Sequence, residues 1–245
     1  MSTSRYIKSA ILFFAIILLI GMSACKKGFS PNQSKIDAAE INQEIKKNIE
    51  NAEKATDENE KAKLYGIASR LLCKKGDFNK ASVIARLGQK ANPTNKDSMT
   101  SIGEYYLYIK KFNEAEFTFS NVLANFPDDP DANYLMGNTL AAQEKYSRSV
   151  AYYKKNIKSE KPSDESYINL AYAYNRMGEK HDAYSTLSDF IESSNTENAY
   201  AYKNAGVLAE SLEKNEDAKK YYNRYLELNP YGDDVEAVTK WRDAL

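Results

Sequence analysis

Few side chains in this 245-residue sequence are of the types that catalyse reactions or bind metal ions. The chain has one histidine, His181, and two cysteines, Cys25 and Cys73. A structural zinc site takes about four cysteine or histidine ligands, so we expect no metal and no cofactor. The sequence also lacks a phosphate-binding P-loop, a dinucleotide-binding glycine motif and a nucleophile elbow. It therefore predicts a protein that is not an enzyme.

Charge and composition narrow the class of protein further. The chain has 34 basic and 34 acidic residues, which give a formal net charge of zero. Nucleic-acid binding needs clustered Lys and Arg without matching acids, so we expect no nucleic-acid partner. Glycine and proline are sparse, at 10 and 6 residues. Because helix formers are common and helix breakers rare, the composition favours helices over strands.

The N-terminus has the organisation of an export signal. Arg5 and Lys8 precede an apolar run over residues 10–20, and small residues then lead to Cys25. The uncharged stretch over residues 9–25 is at the lower end of the length that spans a membrane, so an uncleaved anchor is the alternative.

The end of this segment, Met22-Ser23-Ala24-Cys25, resembles the lipobox of bacterial lipoproteins. The resemblance implies that residues 1–24 are a cleaved signal peptide and that Cys25 is acylated, with chains such as palmitate. Several buried acyl chains hold a protein on a membrane effectively permanently. Residues 25–34 would then be a tether. Lys26 is not the aspartate that retains lipoproteins at the inner membrane of enteric-type bacteria, which implies the outer membrane in a diderm organism. The leaflet remains open.

The rest of the sequence repeats with a period of 34 residues. Pro93 and Pro127 are one period apart. Other residues of matching type recur at the same step: Phe78, Phe112 and Tyr146, and also Ala81, Ala115, Ser149 and Ala183. In a sequence rich in helix formers, a fixed step of this size predicts stacked helical hairpins.

The residues at these steps resemble the tetratricopeptide repeat. The resemblance covers residues 62–232 and implies an all-α fold, a right-handed α-solenoid of about five helical hairpins. The five units are residues 62–95, 96–129, 130–163, 164–198 and 199–232. Apolar residues at helical spacing predict an N-terminal helix over 35–61 and a capping helix over 233–245. Whether residues 35–61 form a further degenerate repeat remains open.

In tetratricopeptide proteins the concave face is built mainly from the first helix of each hairpin. The matching positions here are rich in tyrosine, which offers a large rigid surface, and in asparagine, whose amide can hold a peptide backbone. The candidate partner-binding residues are Arg70, Tyr108, Tyr134, Asn138, Tyr172, Asn175, Arg176, Tyr200 and Lys203. The alternative is that the tyrosines only pack against neighbouring helices.

Two positions of the first unit limit what the resemblance implies. A known carboxylate clamp of the family uses Lys and Asn, but Gly66 and Arg70 stand at the matching positions, so binding of C-terminal tails by that clamp is not expected. Arg70 and its lysine neighbours predict a basic patch at this end. Cys73 lies on the same face, and we interpret it as an inert, small apolar residue.

Two functions fit these features. The first is a membrane-anchored scaffold or adaptor lipoprotein that binds a peptide segment or a partner protein, in envelope assembly or secretion. The resemblance in architecture is to pilotin-type and outer-membrane-assembly lipoproteins with this repeat. The second is a solute-binding or transporter-associated lipoprotein, which would need an enclosed pocket.

Overall fold

The computed structural model describes residues 31–245, with side chains from residue 38 onward, and this part is entirely helical apart from short connections. It contains twelve helices: α1 (Pro31–Lys54), α2 (Glu58–Lys75), α3 (Phe78–Ala91), α4 (Lys96–Tyr108), α5 (Phe112–Asn125), α6 (Pro130–Ala142), α7 (Tyr146–Ile157), α8 (Asp164–Arg176), α9 (Lys180–Ser194), α10 (Ala199–Ser211), α11 (Asn215–Leu228) and α12 (Val235–Asp243).

Helices α2 to α11 form five hairpins, in which each first helix packs on the second helix that follows it. The first helix of each later hairpin also packs on the second helix of the hairpin before it, so the hairpins stack in chain order. First helices of successive hairpins touch one another, from α2 through α4, α6 and α8 to α10. The first helices therefore line the inner side of the stack. This arrangement confirms the predicted all-α solenoid of helical hairpins.

Glycine and aromatic residues at fixed positions bring the two helices of a hairpin together. A Cβ atom added at Gly103 would lie 2.6 Å from the ring of Phe119, and one added at Gly137 would lie 2.5 Å from the ring of Tyr153. Both rings are fully buried. Burial of a side chain of this size stabilises the fold by roughly 2–3 kcal/mol. The absence of a side chain on the first helix is therefore what makes room for the ring on the second.

The turn inside each hairpin passes through a residue with a left-handed backbone. These residues recur at the repeat period and have φ values from 60° to 85°: Gly76, Lys110, Glu144, Gly178 and Glu213. The next residue donates its N–H to a carbonyl five residues earlier, as Lys145 does to Leu140 at 2.8 Å. This bond closes the end of the first helix in a Schellman motif. Glycine adopts the left-handed region without strain, whereas lysine and glutamate do not.

The two ends of the stack are covered by single helices. At the N-terminal end α1 packs on α2 and buries Ile45 and Ala52. The helix predicted over 35–61 is interrupted, because α1 ends at Lys54 and residues 58–61 belong to α2. At the C-terminal end α12 packs on α11 and buries Val238. The ring of Trp241 also lies 6.1 Å from that of Tyr222.

Some predictions concern residues outside the described part of the chain. The signal peptide over residues 1–24, the acylated Cys25 and most of the tether over 25–34 lie there. Among the described helices, none has the length and apolar character needed to cross a membrane. The described residues also contain no group of three or more acidic, cysteine or histidine side chains placed to hold a metal ion.

Candidate partner-binding face

The inner face is formed by helices α2, α4, α6, α8 and α10, and all nine predicted partner-binding residues belong to these helices. The structure divides these residues into three groups. One group lies at the N-terminal end of the stack, one at its middle and one at its C-terminal end.

The N-terminal group is organised by one arginine that pairs with two carboxylates and so links three hairpins. Arg70 on α2 donates to Glu104 on α4 at 2.8 Å and to Asp131 on α6 at 2.9 Å. The side chain of Glu104 is only 6% exposed, whereas that of Asp131 is 58% exposed. The basic patch predicted for the first unit is therefore neutralised at Arg70, its most buried cation.

Burial controls the acid–base properties of this group. It raises the pKa of the Glu104 carboxyl, although Arg70 acts in the opposite direction. Burial would by itself lower the pKa of the Arg70 guanidinium, but the two carboxylates raise it above its ordinary value. Arg70 is therefore a permanent cation that links the first three hairpins at this end of the inner face.

Cys73 and Tyr108 fill the space beside this ion pair. Cys73 is buried, and burial raises the pKa of its thiol well above the ordinary value, with Glu104 acting in the same direction. Cys73 is therefore expected to be an unreactive thiol, which agrees with its interpretation as a small apolar residue. Tyr108 is half-buried, and its ring lies 5.7 Å from that of Phe78. Tyr108 is thus mainly a packing residue.

The middle group is a line of polar side chains on α6, α7 and α8. Asn138 on α6 accepts hydrogen bonds from the hydroxyl of Tyr153 and from the amide of Asn169, both at 2.9 Å. Tyr134 lies next to them, and burial raises the pKa of its hydroxyl to about 12, although the Asn138 amide acts to lower it. We call this line, together with the residues at its two ends, the inner polar row. Its members are Glu165, Tyr134, Asn138, Asn169, Tyr153, Tyr172 and Arg176.

One end of the inner polar row is a guanidinium held between aromatic rings. Arg176 donates to the hydroxyl of Tyr172 at 2.8 Å and lies over the ring of Tyr146, 5.0 Å from its centroid. Stacking of this kind fixes the plane of the guanidinium. Tyr172 is only 2% exposed, so its ring supports Arg176 and does not form an open platform for a partner.

The other end of the row is the carboxylate of Glu165, in the first turn of α8. This carboxylate is close enough to Tyr134 to act on the pKa of its hydroxyl, which it raises. Glu165 is exposed and accepts a hydrogen bond from the hydroxyl of Ser163 at 2.5 Å. Asn175 lies beside Arg176, is half-buried, and has no side-chain hydrogen bond within residues 38–245. The row thus runs from an acidic end to a basic end.

The C-terminal group is a buried lysine enclosed by a carboxylate and two rings. The ammonium of Lys203 lies 2.7 Å from Asp234, 4.9 Å from the ring centroid of Tyr200 and 5.4 Å from that of Tyr225. Burial acts to raise the pKa of Asp234, but the charge of Lys203 and the hydrogen bonds from Lys203 and Tyr225 lower it. Lys203 therefore fastens the last hairpin to the segment before α12. Tyr200, 38% exposed, remains accessible.

A separate cleft, of about 680 Å³, lies between α1, α2 and α3. Its apolar wall includes Ile45, Ile49, Leu72 and Val83. None of the nine predicted residues lines it.

Several residues that organise the inner face were absent from the predicted set: Glu104, Asp131, Glu165, Asn169 and Asp234. The repeat period itself could have identified Glu104, because it follows Arg70 by one period and must lie beside it on the next hairpin. Asp234 lies beyond the last repeat, where the period gives no neighbour. The buried Tyr172 was predicted as a contact residue, but the burial of one tyrosine on a helix cannot be read from spacing alone.

Comparison with known proteins supports the repeat and its fold. Profiles of the tetratricopeptide repeat match residues 100–164 and 199–231. A search of curated protein sequences gives no significant match.

Many solved structures are similar to the described chain. One is YrrB, called a protein with an unusual peptide-binding site, at a TM-score of 0.56 and 18% identity over 74% of this chain and 91% of YrrB. Another is PilW, called a type IV pilus biogenesis factor. Its TM-score is 0.63 and its sequence identity is 17%, over 75% of this chain and 88% of PilW. A third is PilF of Pseudomonas aeruginosa. Its TM-score is 0.63 and its sequence identity is 14%, over 76% of this chain and 87% of PilF. The chain therefore contains tetratricopeptide repeats and has the fold of a tetratricopeptide solenoid.

Proposed function

We propose that this protein is a lipid-anchored scaffold of the bacterial cell envelope, which binds a segment of a partner protein on its inner face and catalyses no reaction. The observation that carries the proposal is the inner polar row, in which the side chains of Tyr134, Asn138 and Arg176 are half-exposed at the middle of the stack. Such groups can satisfy the backbone and side chains of a bound polypeptide.

The middle of the inner face is favoured over its ends because the ends are already occupied by the protein's own side chains. Arg70 is taken up by Glu104 and Asp131, and Lys203 by Asp234 and two tyrosines. A partner that bound the charge of Arg70 or of Lys203 would have to separate a partly buried ion pair, which costs several kcal/mol. The middle offers polar groups without that cost.

The membrane anchor rests on sequence. Met22-Ser23-Ala24-Cys25 fits acylation of the cysteine after cleavage, as in bacterial lipoproteins. The similarity in fold to a type IV pilus biogenesis factor agrees with a place in envelope assembly or secretion.

Two experiments test the two halves of the proposal. For the anchor, cells that produce the full chain are fed labelled palmitate. We expect labelling of the wild type and of a Cys73→Ala control, and none of Cys25→Ala. Labelling of Cys25→Ala at the wild-type level would contradict the anchor.

For the scaffold, a photo-crosslinking amino acid replaces Asn175 on the inner face, and the control carries it at Ala151. Ala151 is exposed on α7, a second helix. We expect a covalent adduct with another polypeptide from position 175 and none from position 151. The absence of an adduct from position 175, or equal adducts from both positions, would contradict binding on the inner face.

A further inference from the structure

We infer that the inner polar row binds an extended peptide segment. A cationic side chain of this segment contacts Glu165, and an anionic group about five residues away contacts Arg176. The inference rests on the proposed function and specifies the chemistry of the partner segment.

Glu165 is the acidic end of the row and selects a cation. Its carboxylate is exposed and forms no ion pair with any residue of the described part. Asp131 holds the equivalent position one period earlier, and its charge is already shared with Arg70. Glu165 is thus an uncompensated negative charge on this part of the face. A lysine or arginine on the partner would be attracted here, and its approach would be weakened by salt.

Arg176 is the basic end and selects an anion. Tyr146 and Tyr172 hold the plane of its guanidinium, and the side chain is half-exposed. A guanidinium carries five N–H donors and binds a carboxylate with two parallel hydrogen bonds. Because the rings fix the guanidinium beforehand, less side-chain entropy is lost when a carboxylate binds. The anionic group can be an aspartate, a glutamate or the terminal carboxylate of the partner.

The side chains between the two ends indicate an extended backbone. The amide of Asn175 has no side-chain hydrogen bond within the described residues, and that of Asn138 is half-exposed. Amides offer both donors and acceptors, which a helix does not need because its backbone is already bonded internally. An extended segment needs such partners.

The distance between the two ends sets the spacing in the partner. Residues 165 and 176 lie at opposite ends of α8, about 16 Å apart along the helix axis at about 1.5 Å per residue. An extended chain covers about 3.3 Å per residue, so this distance corresponds to about five residues.

A peptide selection tests this inference. A random peptide library displayed on phage is selected against the purified full-length chain in detergent micelles, and separately against Glu165→Gln and Arg176→Gln. Against the wild type we expect enrichment of peptides with opposite charges about five residues apart. We expect Glu165→Gln to lose only the basic residue from the enriched peptides, and Arg176→Gln only the acidic residue. Each substitution should weaken the best wild-type peptide by roughly twofold to fivefold at low salt.

Matched controls separate the site from general charge effects. Glu216→Gln and Arg224→Gln change an acid and an arginine on α11, a second helix, and should leave the enriched sequences unchanged. If Arg176→Gln unfolds, Arg176→Lys keeps the charge and should retain the acidic preference. Enriched peptides without paired charges, or the same peptides from both variants, would overturn the inference and leave the proposed function intact. No enrichment at all would overturn both.

Discussion

The ion pair of Arg70 with Glu104 yields the sharpest prediction about stability. Arg70→Met keeps most of the side-chain length but removes the cation, so the buried Glu104 carboxylate loses its main partner. Removal of one member of a buried ion pair destabilises a protein by about 3–5 kcal/mol. Lys74, which also acts on Glu104, compensates part of this loss. We therefore expect a loss of about 3 kcal/mol in the free energy of unfolding at pH 8.

Two comparison variants show whether burial is the cause. Asp131→Asn removes the other carboxylate, but this group is 58% exposed, so the loss should stay below about 1 kcal/mol. Arg70→Met with Glu104→Met replaces both charges by apolar groups and should recover most of the stability lost in the single variant. The assay is urea unfolding followed by circular dichroism.

The pH dependence gives an independent test with a defined sign. The pKa of Glu104 is already raised in the folded protein, and removal of Arg70 raises it further. A group whose pKa is raised on folding favours the folded state at low pH, and this contribution is lost as the pH rises through the folded pKa. The deficit of Arg70→Met should therefore be smaller at pH 5 than at pH 8. Equal costs for Arg70→Met and Asp131→Asn, or a deficit that grows toward pH 5, would refute the reasoning.

Three further predictions concern the turns, the helix contacts and the thiol. Glu144 has a left-handed backbone with φ of 60°, so Glu144→Gly removes backbone strain and should raise the free energy of unfolding by about 1 kcal/mol. Gly178→Ala should lower the free energy of unfolding by a similar amount. A change of the same sign in both variants would contradict this prediction. Gly137→Ala places a Cβ atom against the ring of Tyr153, so it should lower the free energy of unfolding by about 1 kcal/mol despite the better helix propensity of alanine. An increase in the free energy of unfolding, as at an exposed helical glycine, would show that the contact is loose. Cys73 should not react with a thiol reagent at pH 8 until the protein unfolds, and a rapid reaction of the folded protein would contradict its burial.

The repeat period determines much of the fold and part of the site. A step of 34 residues places Phe78, Phe112 and Tyr146 at the start of successive second helices, and it places Arg70 beside Glu104. The same step separates the left-handed turn residues Lys110 and Glu144. These features follow because each hairpin contacts its neighbours in nearly the same way.

The remaining features of the site depend on contacts that the period does not specify. Tyr172 is buried because the ring of Tyr146, from the preceding hairpin, packs against it. Tyr108, the last residue of α4, packs on Phe78, the first residue of α3 in the preceding hairpin. Lys203 is closed by Asp234, which lies after the last repeat. Each case depends on side-chain placement between particular helices, which spacing alone cannot provide.

The most direct test of partner binding on the inner face is an affinity measurement with the polypeptide crosslinked from position 175. Asn175→Lys adds length and charge at the middle of the inner face, and Ala151→Lys adds the same side chain on α7. With both variants as thermally stable as the wild type, we expect Asn175→Lys to weaken binding by at least about tenfold and Ala151→Lys to change it by less than about twofold. Equal effects of the two variants, or a larger effect of Ala151→Lys, would contradict the inner face as the binding surface.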